Sequence, residues 1–360
     1  MERILILTNH SFMLWQFRRE LIMALLDRGH DVVIGVPFGD HIDDFRRIGC
    51  KMIDTPLERR GLNPIRDMKL YKQYVRIITE ENPDMVITYS IKPNVYGGYA
   101  CRKLSVPYCV NVQGLGSAFQ KPMVARLVTR MYKAAVKEAK VVFFENKGNA
   151  AYFRKKKITP EAQQVVLRGA GINLDFWTQK PYPRNQRVRF LYLGRLMREK
   201  GITELFEACR RLHDEGEDFL LDLVGFFEDE YKQQVEDMVS RGIAMFHGFQ
   251  RDARPFYEQA DCVVLPSYHE GMSNVLLEAA STGRPVITSA IPGCRETVSP
   301  GRSGLTCRAQ DANSLYRAMK YFLNLSWEDR MEMGLAGRER MREQFAKEDV
   351  VEQTLWAIFR

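Results

Sequence analysis

Cys262-Val263-Val264-Leu265-Pro266-Ser267-Tyr268-His269-Glu270-Gly271-Met272-Ser273-Asn274-Val275-Leu276-Leu277-Glu278-Ala279-Ala280 reads as a strand, a polar turn and a helix. The run Cys262 to Leu265 lacks polar alternation, as expected of a strand buried on both faces, and Pro266 ends it. Outward from this stretch the same recipe recurs. Val188 to Leu193, Leu220 to Val224, Ala244 to Phe246 and Pro285 to Ser289 are strand candidates separated by helical segments. Towards the N-terminus the candidates are Arg3 to Thr8, Val32 to Val36, Lys51 to Asp54, Met85 to Tyr89, Val106 to Val112 and Val141 to Phe144. Unalternating strands interleaved with helices predict parallel sheets covered on both faces.

Between the two sets, Gln179-Lys180-Pro181-Tyr182-Pro183-Arg184-Asn185 carries two prolines among polar residues and is read as a linker. The expected class is therefore α/β, with two Rossmann-like doubly wound domains facing across a cleft. The divisions are residues 1–178, residues 186–340, and a C-terminal helical piece, 341–360, packing back toward the first domain. Ligands of such sheets sit at the carboxyl ends of the strands.

Composition narrows the function. The 360 residues are 45% apolar and 27% charged, which suits a globular chain and excludes disordered and collagen-like classes. No stretch approaches the roughly 20 apolar residues of a membrane span. Seven cysteines show no metal-like spacing and read as reduced thiols of a cytoplasmic protein. Net charge is +8, unevenly spread: residues 1–180 hold 29 Lys and Arg against 17 Asp and Glu, and the remainder 24 against 28. A basic first half suggests phosphate-bearing partners.

Gly194 and Arg195 follow a strand, and Lys200 precedes a helix starting near Thr203. Arginine engages phosphate oxygens bidentately and lysine acts as a point charge, so the pair suits a diphosphate; a solvated turn is the competing reading. In the opening stretch Glu270 sits in the strand-exit loop, and Gly271, Met272 and Ser273 lie where a helix N-terminus offers N–H groups to an anion. Glu278 lies about 12 Å along the helix axis from Glu270. That exceeds the carboxyl spacing of about 5 to 9.5 Å in glycosidases but suits the two ends of a nucleotide-sugar. The competing reading is a helix cap plus one buried acid.

These residues resemble glycosyltransferase family 4, retaining enzymes of GT-B fold. The likeness also covers Gly248 to Asp261, Gly283-Arg284-Pro285-Val286-Ile287-Thr288-Ser289, Gly293, Glu296-Thr297-Val298 and Gly304-Leu305. It implies that Arg195 and Lys200 hold the donor diphosphate, Glu270 contacts the donor sugar, and Glu278 accepts the ribose hydroxyls. Gly194, Gly271, Met272, Ser273 and Phe249 would complete the donor site, with Gly225-Phe226-Phe227 lining the same pocket. It further implies a UDP-sugar donor and no obligatory metal. No histidine motif or Asp/His cluster of ligand spacing opposes that expectation.

Tyr89 to Gly98 and Val112 to Phe119 also follow strands. They resemble the subgroup acting on diphospho-undecaprenol-linked saccharides, similar to bacterial N-acetylgalactosaminyltransferases of glycan assembly. Asn9, His10, Lys92 and Gln113 are the acceptor-side candidates. Gln113 stands where many relatives have histidine, and Asn9-His10-Ser11-Phe12 where many have a glycine-rich loop. For His10 a structural role competes, and for Lys92 a solvated helix start.

Arg126, Arg130, Lys133, Lys137 and Lys140 recur at helical spacing, with Leu127, Met131 and Ala135 expected on the opposite side; Arg154 to Lys157 add a second cluster. The stripe predicts attachment to an anionic membrane surface on the cytoplasmic side; an ordinary basic surface is the alternative. The expected activity is retaining transfer of a hexose, an N-acetylhexosamine (GalNAc or GlcNAc) above all, from a UDP-sugar to a polyprenyl-diphosphate-linked saccharide. A UDP-sugar epimerase and a non-catalytic nucleotide-sugar-binding subunit are the rivals. Nucleic acid is not expected as a partner, because basic motifs interleaved with aromatic residues are missing.

Overall fold

The computed structural model describes residues 1–57, 63–115 and 122–360. The chain forms two compact units, Met1–Gly171 with Lys347–Arg360, and Ile172–Ala346.

In the first unit the order is β1 (Arg3–Leu7), α1 (Ser11–Asp27), β2 (Asp31–Val36), α2 (Ile42–Arg47), β3 (Lys51–Asp54), α3 (Pro64–Glu81) and β4 (Met85–Tyr89). There follow α4 (Gly98–Leu104), β5 (Tyr108–Val112), α5 (Pro122–Ala135), β6 (Val141–Phe144), α6 (Lys147–Lys155) and β7 (Gln164–Val166). All strands pair in parallel, in the order β3-β2-β1-β4-β5-β6-β7. The order reverses at β1. Right-handed crossovers therefore send α1 and α2 to one face and α3, α4 and α5 to the other.

Packing follows that division. Leu5, Leu7 and Val86 meet Leu70, Tyr74, Val128 and Tyr132 on one face, while Ile4, Ile6 and Ile87 meet Leu14, Leu21 and Ile22 on the other. Ile4 to Leu7 are fully buried, each contributing about 1.5–3 kcal/mol relative to exposure.

The second unit contains β8 (Val188–Leu193), α7 (Ile202–Asp214), β9 (Phe219–Val224), α8 (Lys232–Ser240), β10 (Ala244–Gly248), α9 (Arg254–Gln259) and β11 (Cys262–Leu265). After them come α10 (Asn274–Ser281), β12 (Val286–Ser289), β13 (Gly304–Cys307), α11 (Ala312–Leu323) and α12 (Trp327–Gln344). Its parallel sheet runs β10-β9-β8-β11-β12-β13. The last helix, α13 (Lys347–Phe359), belongs to the first unit, where Val350, Val351, Leu355 and Ile358 join the α1 face of the core.

Three local readings change. The segment Gln179 to Asn185 lies within the second unit rather than between units: the Tyr182 hydroxyl donates to the Asp261 carbonyl (2.8 Å) and the Trp327 indole donates to Pro183 O (2.8 Å). The edge strands β7 and β13 had no clear sequence signal, being short and only partly buried.

The basic helix stops at Ala135, short of Lys137 and Lys140. Its last carbonyls are taken by other parts of the fold: Arg102 donates to Ala134 O (2.6 Å), the Tyr108 hydroxyl to Ala135 O (2.6 Å) and Gln163 to Val136 O (2.8 Å). All seven cysteines are buried free thiols.

Candidate functional site

The second unit places three strand exits side by side. The Gly194 amide donates to Val224 O and the Gly225 amide to Gly248 O, both at 2.9 Å, so the ends of β8, β9 and β10 are joined by backbone. A Cβ on Gly225, whose φ is 149°, would stand 1.8 Å from Gly194 O. Only glycine permits that approach. Arg195 emerges from this junction with its carbonyl held by the Tyr192 hydroxyl (2.6 Å) and its guanidinium donating to Glu228 (3.2 Å).

Lys200 closes a short 3₁₀ turn, Arg198–Lys200, that leans on the exit of β11, where the Tyr268 amide donates to Glu199 O at 2.9 Å. Its ammonium meets Glu270 Oε1 at 2.5 Å, and the same oxygen accepts from the Ser267 hydroxyl at 2.8 Å. Lys200 and Glu270 retain 20% and 12% side-chain exposure, so the pair is sheltered yet reachable. Thus the cation expected on the phosphate and the carboxylate expected on the sugar are in direct contact.

The start of α10 departs from expectation in one respect. The Ser273 amide donates to Gly293 O (2.9 Å), which removes it from the anion cradle expected of Gly271, Met272 and Ser273. Gly293 is itself fixed by its amide donating to Glu296 (2.7 Å), and a Cβ there would lie 2.2 Å from Gly271 O. Met272 is buried, and Ser273 caps α10 without a side-chain hydrogen bond.

Glu278, further along α10, is buried and accepts from the Tyr257 hydroxyl at 2.8 Å. Burial, and then the adjacent Glu278 carboxylate, hold that phenol well above its ordinary range, so it remains a donor. The fully buried Arg284 supports Tyr257 from behind, donating to its carbonyl at 2.8 Å and to Pro181 O at 2.7 Å. Phe249 and Phe226, both exposed, stand edge to face on the loops after β10 and β9, with centroids 6.3 Å apart. Sequence reasoning missed Glu228, Ser267 and Tyr257. Glu228 follows the glycine-aromatic loop directly, which was a usable signal.

In the first unit, Ser90 Oγ donates to Asn9 Oδ1 at 2.8 Å, and Gln113 Oε1 lies 3.5 Å from the same hydroxyl. The exits of β1, β4 and β5 therefore converge on Ser90. This residue sits in the left-handed region (φ 75°), a costly conformation for serine. Lys92 is not a solvated lysine: it meets Asp67 at 2.8 Å, with side-chain exposures of 12% and 7%. It precedes a π-helical turn, Pro93–Gly97. His10 flanks α1 half-buried, its ring 6.3 Å from Phe12. Gly116 to Phe119 of the second acceptor-side loop lie outside the described residues.

Arg126, Arg130, Lys133, Lys137 and Lys140 are all exposed, but only the first three lie on α5. Leu127, expected to face inward, is 46% exposed; Met131 is half-buried and Ala135 buried. No helix among the described residues is long and apolar enough to cross a membrane. Nor do three His, Cys, Asp or Glu side chains converge as a metal site among those residues.

Residues 187–324 match the glycosyl transferases group 1 family, and residues 14–170 match the glycosyl transferase 4-like domain. The chain belongs to the glycosyltransferases. Over 354 residues this glycosyltransferase is 27% identical to the N,N'-diacetylbacillosaminyl-diphospho-undecaprenol alpha-1,3-N-acetylgalactosaminyltransferase of Campylobacter jejuni, covering 93% of this chain and 92% of the relative. It is 26% identical, over 79% of its own length and 76% of the relative's, to an Escherichia coli UDP-Gal:alpha-D-GlcNAc-diphosphoundecaprenol alpha-1,3-galactosyltransferase. Among solved structures, Anabaena HepE in complex with UDP and glucose superposes with a TM-score of 0.82 at 16% identity, covering 99% of both chains. The fold is GT-B, as the resemblance implied.

Proposed function

We propose that this glycosyltransferase moves an N-acetylhexosamine (GalNAc or GlcNAc) from a UDP-sugar to a polyprenyl-diphosphate-linked saccharide, with retention of configuration and without a metal. The observation that carries the donor side is the contact of Lys200 with Glu270 at the exit of β11, just before α10, with Arg195 at the exit of the neighbouring strand β8. Breaking the bond between sugar and diphosphate builds negative charge on the phosphate and positive character on the sugar. Fixed cations act where that charge develops. A bound diphosphate competes with Glu270 for Lys200 and with Glu228 for Arg195, leaving Glu270 oriented by Ser267 toward the donor sugar. Glu278, oriented by the Tyr257 hydroxyl, suits ribose hydroxyls, which donate to a carboxylate.

The acceptor reading draws on the Campylobacter and Escherichia relatives, both named for diphospho-undecaprenol-linked substrates, and on the polar set Asn9, Ser90 and Gln113 at the sheet edge of the first unit. Arg126, Arg130 and Lys133 on α5, with Lys137 and Lys140 beyond its end, would hold the protein peripherally on the anionic inner face of the cell membrane.

A donor panel tests the activity, scored by nucleoside diphosphate release with and without a polyprenyl-diphosphate saccharide, with the product anomer read by NMR. Lys200→Ala and Glu278→Gln should each lower turnover by about 10²–10³. Unchanged turnover in both would refute the donor site.

A further inference from the structure

Apart from Met1, the two most exposed large apolar side chains among the described residues are Ile65, at 84%, and Met123, at 83%. Both lie in the first turn of a helix of the first unit, α3 and α5 respectively. Each has a second exposed apolar residue about one turn on: Met68 at 53% and Leu127 at 46%. The two helices share one face of the sheet, start at its carboxyl edge, and both pack against the π-helical turn Pro93–Gly97. Their apolar first turns therefore stand on the same side and at the same edge of the unit, the edge that also carries Asn9, Ser90 and Gln113.

Among the described residues of these two helix starts, exposed charge has one sign. Exposed Lys69 and Lys72 follow on α3, and exposed Arg126, Arg130 and Lys133 on α5. The only acid between Asn63 and Thr79 is Asp67, which is buried and paired with Lys92; α5 contains none. Protein interfaces deplete lysine at their centres, whereas isolated apolar side chains set among lysine and arginine match the boundary between anionic headgroups and acyl chains.

We propose that the first turns of α3 and α5 form a single two-helix contact with an anionic lipid bilayer. Ile65, Met68, Met123 and Leu127 enter the interfacial layer, and Lys69, Lys72, Arg126, Arg130 and Lys133 lie over the headgroups. This rests on the membrane reading of α5 and adds a second helix with an apolar component, so attachment is not purely electrostatic.

Binding of the full chain to phosphatidylcholine vesicles with and without phosphatidylglycerol tests it, with no nucleotide or saccharide present, so the outcome is independent of the transferase assignment. Ile65→Ser with Met68→Ser should weaken partition to anionic vesicles about tenfold. Arg126→Glu with Arg130→Glu should weaken it at least as much and flatten its salt dependence. A second readout guards against a folding defect. Because the native cysteines are buried, Ile65→Cys can carry an environment-sensitive fluorophore, whose emission should shift to the blue on anionic vesicles.

If only the α5 variant loses binding and the probe at 65 stays in water, the α3 contact is overturned while the α5 reading stands. If the wild-type chain ignores anionic vesicles, the lipid assignment falls altogether and an acidic protein becomes the partner to seek.

Discussion

At the residue scale the donor-side cations are already committed. Lys200 holds Glu270 and Arg195 holds Glu228, so under the proposed function each would exchange a carboxylate for a phosphate on binding a nucleotide-sugar. The Arg195 pair is the weaker restraint, since its guanidinium is 42% exposed and screened by water. Removing its partner should separate binding from turnover. Glu228→Gln is expected to tighten UDP binding about threefold while lowering kcat, because Arg195 gains net attraction for phosphate but loses its fixed direction. Calorimetric titration with UDP and steady-state kinetics check this; equal loss in both would mean that Glu228 serves only the local fold. Arg195, Lys200, Glu270 and Glu278 were legible as site candidates because each stands in a strand-exit loop or on the helix behind it. Glu228 and Tyr257 were not singled out: their importance comes from a partner far away in sequence.

At the element scale, α13 completes a unit built almost wholly from the opening half of the chain. Its first residue, Lys347, is buried; the ammonium donates to Phe17 O (3.2 Å) and lies 3.8 Å from Glu20. Beside it Arg18 and Glu145 form a buried pair at 2.5 Å. Burial, despite Glu20, lowers the Lys347 pKa to about 8. The unfolded lysine keeps its proton to about pH 10.4. Between those limits the unfolded chain binds the proton and the folded chain does not, so raising the pH through this window favours folding. The gain is roughly 3 kcal/mol, complete above pH 10.4 and absent below pH 8. Thermal melts at pH 7.5 and 10 should show wild type gaining stability relative to Lys347→Met; parallel pH profiles would count against the assignment. The end of α5 belongs to the same scale. Helical spacing continued to Lys140, yet Arg102, Tyr108 and Gln163 take the carbonyls that another turn would have used.

For the whole molecule, the charge division read from composition falls on a structural division. The basic half of the sequence forms most of the first unit, and the mildly acidic half forms the second. Under the proposed function Arg195 and Lys200 would supply the charge stabilisation that the transfer needs. Turnover with a UDP-sugar should therefore persist, within about twofold, after exhaustive treatment with EDTA. A loss restored by magnesium or manganese would require a different account of the leaving diphosphate.

The amino-acid sequence by itself determined the two parallel α/β sheets, through apolar runs of strand length interleaved with helical patterns, and it marked the strand exits where polar and glycine residues collect. Tertiary structure alone decided the pairing of Lys200 with Glu270, the use of the Ser273 amide by Gly293, the gathering of Asn9 and Gln113 around Ser90, and the return of α13 to the first unit. The reason is the range of the forces involved. Periodicity and turn chemistry act between near neighbours along the chain, whereas these contacts depend on which strand ends become adjacent once the sheets are assembled.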